Sequence, residues 1–568
     1  MDIREAIFIY SIKNALDYGK ADSRSVLNKI LAKIPEAKKD IRATSDIVDE
    51  IVLKVNAMDR SEIESEAKKH AGEFEEERKR KVEETSKPKM ALEGAISGNF
   101  ITRFPPEPSG YMHIGHAKAV FLEKEFANVY SGKINLYFDD TNPEKEKQEY
   151  VDAIKEDLEW LRISFDSEYY ASDNMEIMYE CASKIVSEAH GYICMCDADT
   201  IKNNRMHGVE CVHRKQSREE NMAYWKKMMD GSFNENEAVL RLASNMKSAN
   251  SAMRDPTLFR IKKERHYRQG NKYSAWPTYD FNTPIIDSIK GVTDVIRSKE
   301  YELRDELYYR ILDLLGFRKP ILHSIARLEI EGNITSKRKQ NELIKEGFIS
   351  GYDDPRLATI AALRKRGIEP SAIREFVLRF GMSKADSVVP MEMLLAENRK
   401  IIDRKAKRLF LVENPVKIIV EDKTESAVKL RLHPNQDLGY KEYVVGNELL
   451  IDGSDAKSLK QGGTLRLKDL FAVEIMSTDG NIICRTAADS KENLKIVQWV
   501  DAKKNVKCTL RKIGHLMSGD KINIKSIEDS EGYAEEYAAN IKDGEFVQFE
   551  RVGFFKLADS KHMLFTSL

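Results

Sequence analysis

Over residues 104–116 the chain reads Phe-Pro-Pro-Glu-Pro-Ser-Gly-Tyr-Met-His-Ile-Gly-His, and a helix-like run follows over residues 117–130. A short strand before this stretch and a helix after it form a strand–turn–helix unit. Gly115 lets a nucleotide lie against the backbone, and free N–H groups at the start of the helix attract phosphate. His113 and His116 can donate hydrogen bonds to oxygens that gain charge as pyrophosphate leaves. The stretch therefore predicts a phosphate cradle in an α/β domain.

A basic segment far downstream, Ser336-Lys-Arg-Lys339, is a candidate lysine loop. Lys337 would neutralise the β- and γ-phosphates, because lysine is a compact charge on a flexible stem. Alone, the two signals have ordinary alternatives: a core histidine beside a turn, and a common basic surface loop. The sequence from Arg103 onward, with its three prolines, favours the cradle. Together the segments predict an enzyme that cleaves ATP between its α- and β-phosphates to activate a carboxylic acid.

Length and composition limit the remaining possibilities. A chain of 568 residues is too long for one core, so several domains are expected. The net charge of −1 means that nucleic acid would have to be bound by local basic patches. We find neither a signal-peptide pattern nor an apolar run long enough for a membrane span. Six cysteines in so long a chain fit a cytoplasmic protein without a disulfide scaffold.

Hydrophobic periodicity changes along the chain and predicts a multidomain architecture. Helical spacing comes first, with a charge-rich stretch over residues 59–87 read as a solvated helix and linker. Strands then alternate with helices, as in a parallel sheet, and short strands with turns dominate the C-terminal part. The predicted domains are a helical extension (1–90), the first half of a Rossmann-like domain (98–193), an insertion (194–270), the second half with the lysine loop (271–340), a helical region (341–405) and two β-barrels (406–568).

Several ordered blocks make the chain similar to a known family. They are the 104–116 stretch, Leu136-Tyr-Phe-Asp-Asp-Thr-Asn-Pro143, Met253-Arg-Asp-Pro256, Pro277-Thr-Tyr-Asp-Phe281, Ser336-Lys-Arg-Lys339 and Gly351-Tyr-Asp-Asp-Pro-Arg356. In these blocks the chain resembles the class I aminoacyl-tRNA synthetases of the glutamyl/glutaminyl branch. Its β-rich C-terminal part resembles the anticodon-binding barrels of glutaminyl enzymes and of archaeal and eukaryotic glutamyl enzymes, and its helical N-terminal extension resembles the archaeal type. The resemblance implies a Rossmann-like catalytic domain, an acceptor-binding insertion, a helical stem-contact region and C-terminal barrels that bind the anticodon.

The resemblance also assigns roles to residues. His113, His116 and Lys337 would be catalytic, and Arg103, Asp139, Tyr279 and Arg297 would bind the amino acid. The family's lysine-loop signature, Lys-Met-Ser-Lys-Ser, reads Ile334-Thr-Ser-Lys-Arg338 here, so the first lysine is replaced and Lys337 is kept. The resemblance further implies that ATP is bound by Glu107, Pro108, Ser109, His113, Gly115, His116, Ser298, Arg327, Leu328, Ser336, Lys337 and Arg338.

Two positions favour glutamate over glutamine as the substrate. Arg297 stands where glutaminyl enzymes have a small neutral residue, and a buried guanidinium complements a side-chain carboxylate. Thr283 stands where those enzymes usually have a histidine. The alternative for Arg297 is an ordinary surface salt bridge.

A second candidate site lies in the insertion. Cys194-Met-Cys196 and Cys211-Val-His213 supply three thiols and one imidazole, a set suited to a tetrahedral structural Zn²⁺. The alternative is a group of reduced, partly buried cysteines without metal.

The predicted function is therefore that of a glutamate–tRNA ligase using ATP with Mg²⁺, L-glutamate and tRNA-Glu, with charging of tRNA-Gln left open. The N-terminal extension is a candidate surface for a protein partner. A glutaminyl-tRNA synthetase is the nearest alternative, and a non-catalytic tRNA-binding paralogue is opposed by the presence of His113, His116 and Lys337. Truncated paralogues that modify a tRNA base lack the C-terminal domains found here.

Overall fold

The computed structural model describes residues 3–18, 20–33, 37, 40–69, 91–488 and 494–568. It separates into two compact units, Met1–Met90 and Ala91–Leu568. Most of the charge-rich stretch predicted as a helix and linker, residues 70–87, lies outside the described residues. Among the described helices, none combines the length and apolarity needed to cross a membrane.

The N-terminal unit is built from helices whose apolar faces meet. Its core includes Ile7, Ile12, Val26 and Val55, each at most 1% exposed. This spacing follows the helical period read from the sequence. The helices are α1 (Ile3–Tyr18), α2 (Ser23–Lys33), α3 (Ile41–Asn56) and α4 (Arg60–Lys69).

The larger unit begins with alternating strands and helices. The strands are β1 (Ile101–Phe104), β2 (Lys133–Phe138), β3 (Ser167–Tyr170), β4 (Gly191–Cys194), β5 (Val239–Leu242), β6 (Thr257–Ile261), β7 (Ala275–Pro277), β8 (Asp294–Ser298), β9 (Ile321–Ile325), β10 (Leu328–Ile330) and β11 (Ser387–Val389). The helices are α5 (Ile114–Val129), α6 (Gln148–Trp160), α7 (Met175–Ser187), α8 (Ala198–His207), α9 (Arg218–Met229), α10 (Tyr279–Ile289), α11 (Asp305–Leu315), α12 (Lys337–Lys345), α13 (Ile360–Arg366), α14 (Pro370–Leu378) and α15 (Met391–Ile402).

The predicted parallel pairing is present in both halves of the α/β region. Strands β1, β2 and β3 form one parallel sheet, and β8 pairs in parallel with β9. The hydroxyl of Thr293 accepts a hydrogen bond from Ile101 N at 2.8 Å, which brings the start of β8 beside β1. The carboxyl ends of β1, β2 and β8 therefore meet at one edge, where ligands bind in sheets of this kind. Between the two halves, β4 to β7 form an antiparallel sheet.

The C-terminal part is dominated by strands, as predicted. Two seven-stranded sheets have the orders β21-β18-β19-β20-β14-β17-β22 and β12-β27-β28-β29-β23-β26-β13. The pairs β15–β16 and β24–β25 form separate two-stranded sheets. The strands of the C-terminal part are β12 (Lys407–Leu409), β13 (Leu411–Val412), β14 (Pro415–Val420), β15 (Glu425–Arg431), β16 (Tyr440–Gly446), β17 (Glu448–Asp452), β18 (Thr464–Leu467), β19 (Ala472–Ser477), β20 (Ile482–Thr486), β21 (Lys495–Val497), β22 (Val500–Asp501), β23 (Asn505–Ile513), β24 (Met517–Ser518), β25 (Lys521–Ile522), β26 (Ile527–Glu535), β27 (Phe546–Phe549), β28 (Gly553–Asp559) and β29 (Leu564–Ser567), with a short helix α16 (Gly453–Ala456). Each seven-stranded sheet encloses its own apolar cluster.

Candidate active site

A cavity of about 750 Å³ opens at the carboxyl ends of β1, β2 and β8. It brings together residues that are far apart in the sequence, from the cradle, the second strand, α10 and the segment before the lysine loop. Of the predicted site residues, the cavity is lined by Arg103, Glu107, His113, Gly115, His116, Asp139, Tyr279, Arg297, Ser298, Arg327, Leu328 and Ser336.

The two histidines cap the helix that starts at the cavity. The Gly115 N–H donates to Nδ1 of His113 at 3.1 Å, and the His113 N–H donates to Nδ1 of His116 at 3.2 Å. Because of this reciprocal cap, α5 begins at Ile114, three residues earlier than the sequence indicated. Since both Nδ1 atoms accept, the proton of each neutral ring lies on Nε2.

Burial lowers the pKa of His113 to about 4 and the pKa of His116 well below its usual value. Both rings are therefore neutral donors near pH 7.

Gly115 leaves no room for a side chain between the cap and the opposite wall. A Cβ atom at this position would lie 2.9 Å from Cε1 of His113 and 3.5 Å from the Leu328 carbonyl oxygen. The glycine is thus required by the close approach of the His113 ring, which sequence reasoning had attributed to the nucleotide alone.

Asp139 supplies the acidic side of the cavity. Its Oδ1 accepts a hydrogen bond from Nδ2 of Asn282 at 2.8 Å. Burial raises the pKa of Asp139 to about 6, the Asn282 hydrogen bond opposes the rise, and Glu107 adds to it. The carboxylate is consequently ionised at neutral pH and titrates just below it. Asn282 was not identified from the sequence, although it lies one residue after the quoted 277–281 block.

Arg103 is buried and already paired. Its Nε donates to Oδ1 of Asp287 at 2.9 Å and its Nη2 to Oδ2 at 3.3 Å, with both side chains 0% exposed. Its Nη1 donates to the Ile296 carbonyl at 3.3 Å. Three of its five N–H groups are used in these bonds, which leaves two for a ligand in the cavity.

Arg297 is the second guanidinium of the cavity, and it is not on the surface. The residue is 7% exposed. Its Nη2 contacts the carboxylate of Asp305, and its Nη1 lies 3.5 Å from the hydroxyl of Tyr279. Its guanidinium carbon lies 5.1 Å from the ring centroid of Tyr308. The surface salt bridge considered as an alternative does not describe a buried guanidinium that lines a cavity.

The lysine segment lies beside the cavity. Lys337 is the first residue of α12, and its Nζ contacts the Ser109 carbonyl and lies 4.2 Å from the Tyr150 ring centroid. Lys337, Arg338 and Ser109 line a neighbouring depression that shares Glu107 with the cavity. Pro108 accepts a hydrogen bond from Lys147 N at 3.1 Å.

Other cavity residues were missed by sequence reasoning. Lys118 is 2% exposed, and its Nζ donates to the Ala326 carbonyl at 2.8 Å. Arg260 lies in strand β6 between the apolar residues Phe259 and Ile261, and a charged residue in that setting was the available signal. Tyr301 and Arg304 also line the cavity, but nothing in their local sequence distinguishes them.

The cysteines and histidine of the insertion come together as predicted. The Sγ atom of Cys211 lies 3.6 Å from the Sγ atoms of Cys194 and Cys196 and 3.2 Å from Nδ1 of His213. All four potential ligand atoms lie within 4.8 Å of one another. Tetrahedral Zn²⁺ with Zn–S bonds of about 2.3 Å would separate two sulfurs by roughly 3.8 Å, so the donor set fits the metal.

Comparisons with known proteins cover the whole chain. Three family models match: "tRNA synthetases class I (E and Q), catalytic domain" over residues 99–404, and two models of the anti-codon binding domain over residues 406–489 and 496–558. The glutamate–tRNA ligase of Nitrosopumilus maritimus is 38% identical over 100% of this chain and 99% of its own length. That of Pyrococcus furiosus is 37% identical over 98% and 97%. A solved glutamate-tRNA synthetase structure from Elizabethkingia anophelis matches 54% of this chain and 70% of its own, with 18% identity and a TM-score of 0.41.

Replacement of Gly115 by alanine should weaken ATP binding. The new methyl group would push the His113 ring away from its cap and turn its Nε2–H away from the cavity. The methyl group would also stand in the turn against which the nucleotide is proposed to lie, and misplacement of a bound group by about 1 Å can be costly, so we expect at least a tenfold rise, roughly, in the Kd for ATP. Isothermal titration calorimetry measures this. Gly514→Ala, in the C-terminal part, is the matched control, because its new methyl group would make only ordinary contacts with Ser526, the nearest at 3.7 Å. Equal affinities for the two variants would contradict the role given to Gly115.

Proposed function

Because this chain belongs to the class I tRNA synthetases of the glutamyl and glutaminyl branch, we propose that it joins glutamate to tRNA-Glu in two steps, through glutamyl-adenylate. The family predicted from the sequence is confirmed, and so is its archaeal form, since archaeal glutamate–tRNA ligases match nearly the full length. The observation that carries the proposal is the buried Arg297 beside Tyr279, in the same cavity as a helix start with two neutral histidines.

In the first step Asp139 would pair with the α-ammonium group and Arg297 with the side-chain carboxylate of glutamate. One oxygen of the α-carboxylate attacks the α-phosphorus of ATP, which enters as its Mg²⁺ complex. The P–O bond to the β-phosphate breaks, and the electron pair leaves with pyrophosphate. The Nε2–H groups of His113 and His116 and the N-terminus of α5 would stabilise the charge that develops on the phosphate oxygens.

Lys337 would act on the β- and γ-phosphates, and its present contact supports that assignment. Its Nζ rests on the Ser109 carbonyl, at the border between the cavity and the neighbouring depression. A small rotation of a flexible lysine stem would carry the charge into the cavity. Leu328 and Arg327 on the opposite wall would contact the nucleotide, together with Ser298 and Ser336.

In the second step a ribose hydroxyl at the 3′ end of the tRNA attacks the activated carbonyl and AMP leaves. The insertion over residues 194–270 would hold the acceptor end and residues 341–405 the inner corner of the tRNA. The C-terminal sheets would bind the anticodon, in line with the two anticodon-domain matches. Unstacked bases would supply the sequence specificity and phosphates much of the affinity.

Glutaminyl-tRNA synthetase is the second candidate, because the family includes both activities. The buried Arg297 opposes it, since all guanidinium N–H groups are donors and the NH₂ of a glutamine side chain would face them without an acceptor. A location in the cytoplasm is part of the proposal and is supported by the six free thiols. Binding of a protein partner by the N-terminal helices is proposed on the sequence alone.

The direct experiment is aminoacylation with radiolabelled glutamate and glutamine on separated tRNA-Glu and tRNA-Gln. We expect glutamate to be attached to tRNA-Glu. Attachment of glutamate to tRNA-Gln as well would define a relaxed tRNA specificity within the same function. Charging with glutamine and not glutamate would overturn the proposal.

Replacement of Arg297 by cysteine should reduce glutamate activation severely, because the side-chain carboxylate loses its charged partner. Removal of a charge-assisted, buried contact costs about 2–5 kcal/mol, which corresponds to roughly 30-fold or more in kcat/KM for glutamate. ATP–pyrophosphate exchange measures the change. Arg310→Cys, on the exposed side of α11, is the matched control. Unchanged kinetics for Arg297→Cys would remove the argument for glutamate.

The activity should fall on the acid side of neutrality. Because the pKa of Asp139 is raised to about 6, this carboxylate is charged above that pH and neutral below it. The kcat/KM for glutamate should therefore decline as the pH falls through about 6, while Asp139→Asn should be weak at every pH and lack this decline. An identical acid limb in wild type and Asp139→Asn would assign the titration to another group.

We also propose a structural Zn²⁺ held by Cys194, Cys196, Cys211 and His213. The metal would stabilise the fold of the insertion and supply no chemistry to the reaction. Protein purified without chelators should contain about one zinc per chain by elemental analysis, Cys196→Ser should contain much less, and Cys181→Ala, outside the cluster, should match wild type. Wild-type protein without zinc would contradict this site.

A further inference from the structure

The orientation of Arg297 is determined by a carboxylate that does not belong to the predicted site. Asp305 is the first residue of α11, and its Oδ1 accepts from Nη2 of Arg297. The Arg297 side chain is 5% exposed and the Asp305 side chain 35% exposed. The ion pair thus has one buried member that lines the cavity and one partly exposed member that does not line it.

Helix α11 contacts the same guanidinium a second time. Tyr308 lies one helical turn after Asp305, so both side chains are on one face of the helix. The ring centroid of Tyr308 is 5.1 Å from the guanidinium carbon of Arg297. The Tyr308 hydroxyl donates to Oδ2 of Asp287 at 2.9 Å, and Asp287 is the partner of Arg103. The first turn of α11 therefore connects the two arginines of the cavity.

With these contacts made, some N–H groups of the Arg297 guanidinium remain available to bind a ligand. One N–H of Nη2 is used by Asp305, and Nη1 lies near the Tyr279 hydroxyl. Nε is buried and has no hydrogen-bond partner among the residues that the structure describes. A guanidinium held on one side by a carboxylate and against an aromatic ring has few orientations open to it. Its remaining N–H groups can then meet a second carboxylate in a planar, forked geometry.

We propose that Asp305 is a positioning residue that determines specificity, because it holds Arg297 in the orientation that binds the side-chain carboxylate of glutamate. This inference rests on the proposed function and adds a residue to it. Asp305 orients the guanidinium from behind the residues that line the cavity, and Arg297 makes the contact with the substrate.

Asp305 is negatively charged and would repel the side-chain carboxylate of glutamate, but two features of its surroundings weaken this repulsion. Asp305 lies in the first turn of α11, where free N–H groups of the helix attract negative charge. One third of its side chain faces solvent, so water screens its field, whereas the buried Arg297 is screened much less. The orientation that Asp305 provides should therefore outweigh the repulsion.

The test compares Asp305→Ala with Asp305→Asn in glutamate-dependent ATP–pyrophosphate exchange. Alanine removes the acceptor, and we expect the KM for glutamate to rise roughly tenfold or more with little change in the KM for ATP. Asparagine keeps an oxygen that accepts from Nη2, so it should restore most of the affinity. Asp313→Ala is the matched control, since Asp313 is on the same helix and is paired with Lys319 at the surface.

A lower KM for glutamate in both variants would show that Asp305 competes with the substrate, and would overturn the proposal. Wild-type kinetics for Asp305→Ala, or equal impairment of the two variants, would overturn it too, since neither follows from a lost acceptor. If Asp305→Ala does not fold by circular dichroism, Asp305→Leu, which also lacks an acceptor and is closer in size to aspartate, is held to the same expectation as alanine. The proposed function is tested by the wild-type protein in the same assay: no activation of glutamate by wild type would contradict that function. Failure of the Asp305 proposal is instead seen only in the variants, so the two failures can be told apart.

Discussion

The buried ion pair between Arg103 and Asp287 is the interaction on which the site depends. It joins strand β1 to helix α10, across 184 positions that include the whole insertion. Both side chains are 0% exposed, so each charge has lost its water and requires the other. Removal of one partner from such a pair costs about 3–5 kcal/mol, because the remaining charge stays buried and unpaired. The pair thereby fixes the two halves of the α/β region against each other at the floor of the cavity.

The electrostatics of the cavity follow from the same connections. Asp287 is linked to Tyr308, Tyr308 lies against Arg297, and Arg297 is paired with Asp305. Each guanidinium therefore has a fixed carboxylate partner and N–H groups left over for an anionic ligand. The histidines add directed donors without charge, since their Nδ1 atoms are occupied within the helix cap. A site with oriented donors and few mobile charges is suited to stabilising a transition state, because little rearrangement is needed during the reaction.

Much of the fold and of the candidate site could be predicted from local sequence, and there are physical reasons why the other features could not. The cradle, the parallel strands, the β-rich C-terminal part and the cysteine cluster depend on residues close together in the chain, and the fold class, family and enzyme class are confirmed. The start of α5 was placed three residues late, because a histidine cap has no common sequence signature. Asp287, Asn282 and Asp305 were missed because their partners lie in other elements, so their roles exist only after folding. The catalytic and binding roles of individual residues stay predictions.

In the proposed function, one cavity binds the side-chain carboxylate of glutamate through Arg297 while the two neutral histidines face the reacting phosphate. A crystal structure with a non-hydrolysable glutamyl-adenylate analogue tests this directly. We expect the side-chain carboxylate within hydrogen-bonding distance of Arg297 and the Tyr279 hydroxyl, with Nε2 of His113 and His116 directed at the group that replaces the phosphate. An analogue whose side-chain carboxylate contacts neither Arg297 nor Tyr279 would contradict it.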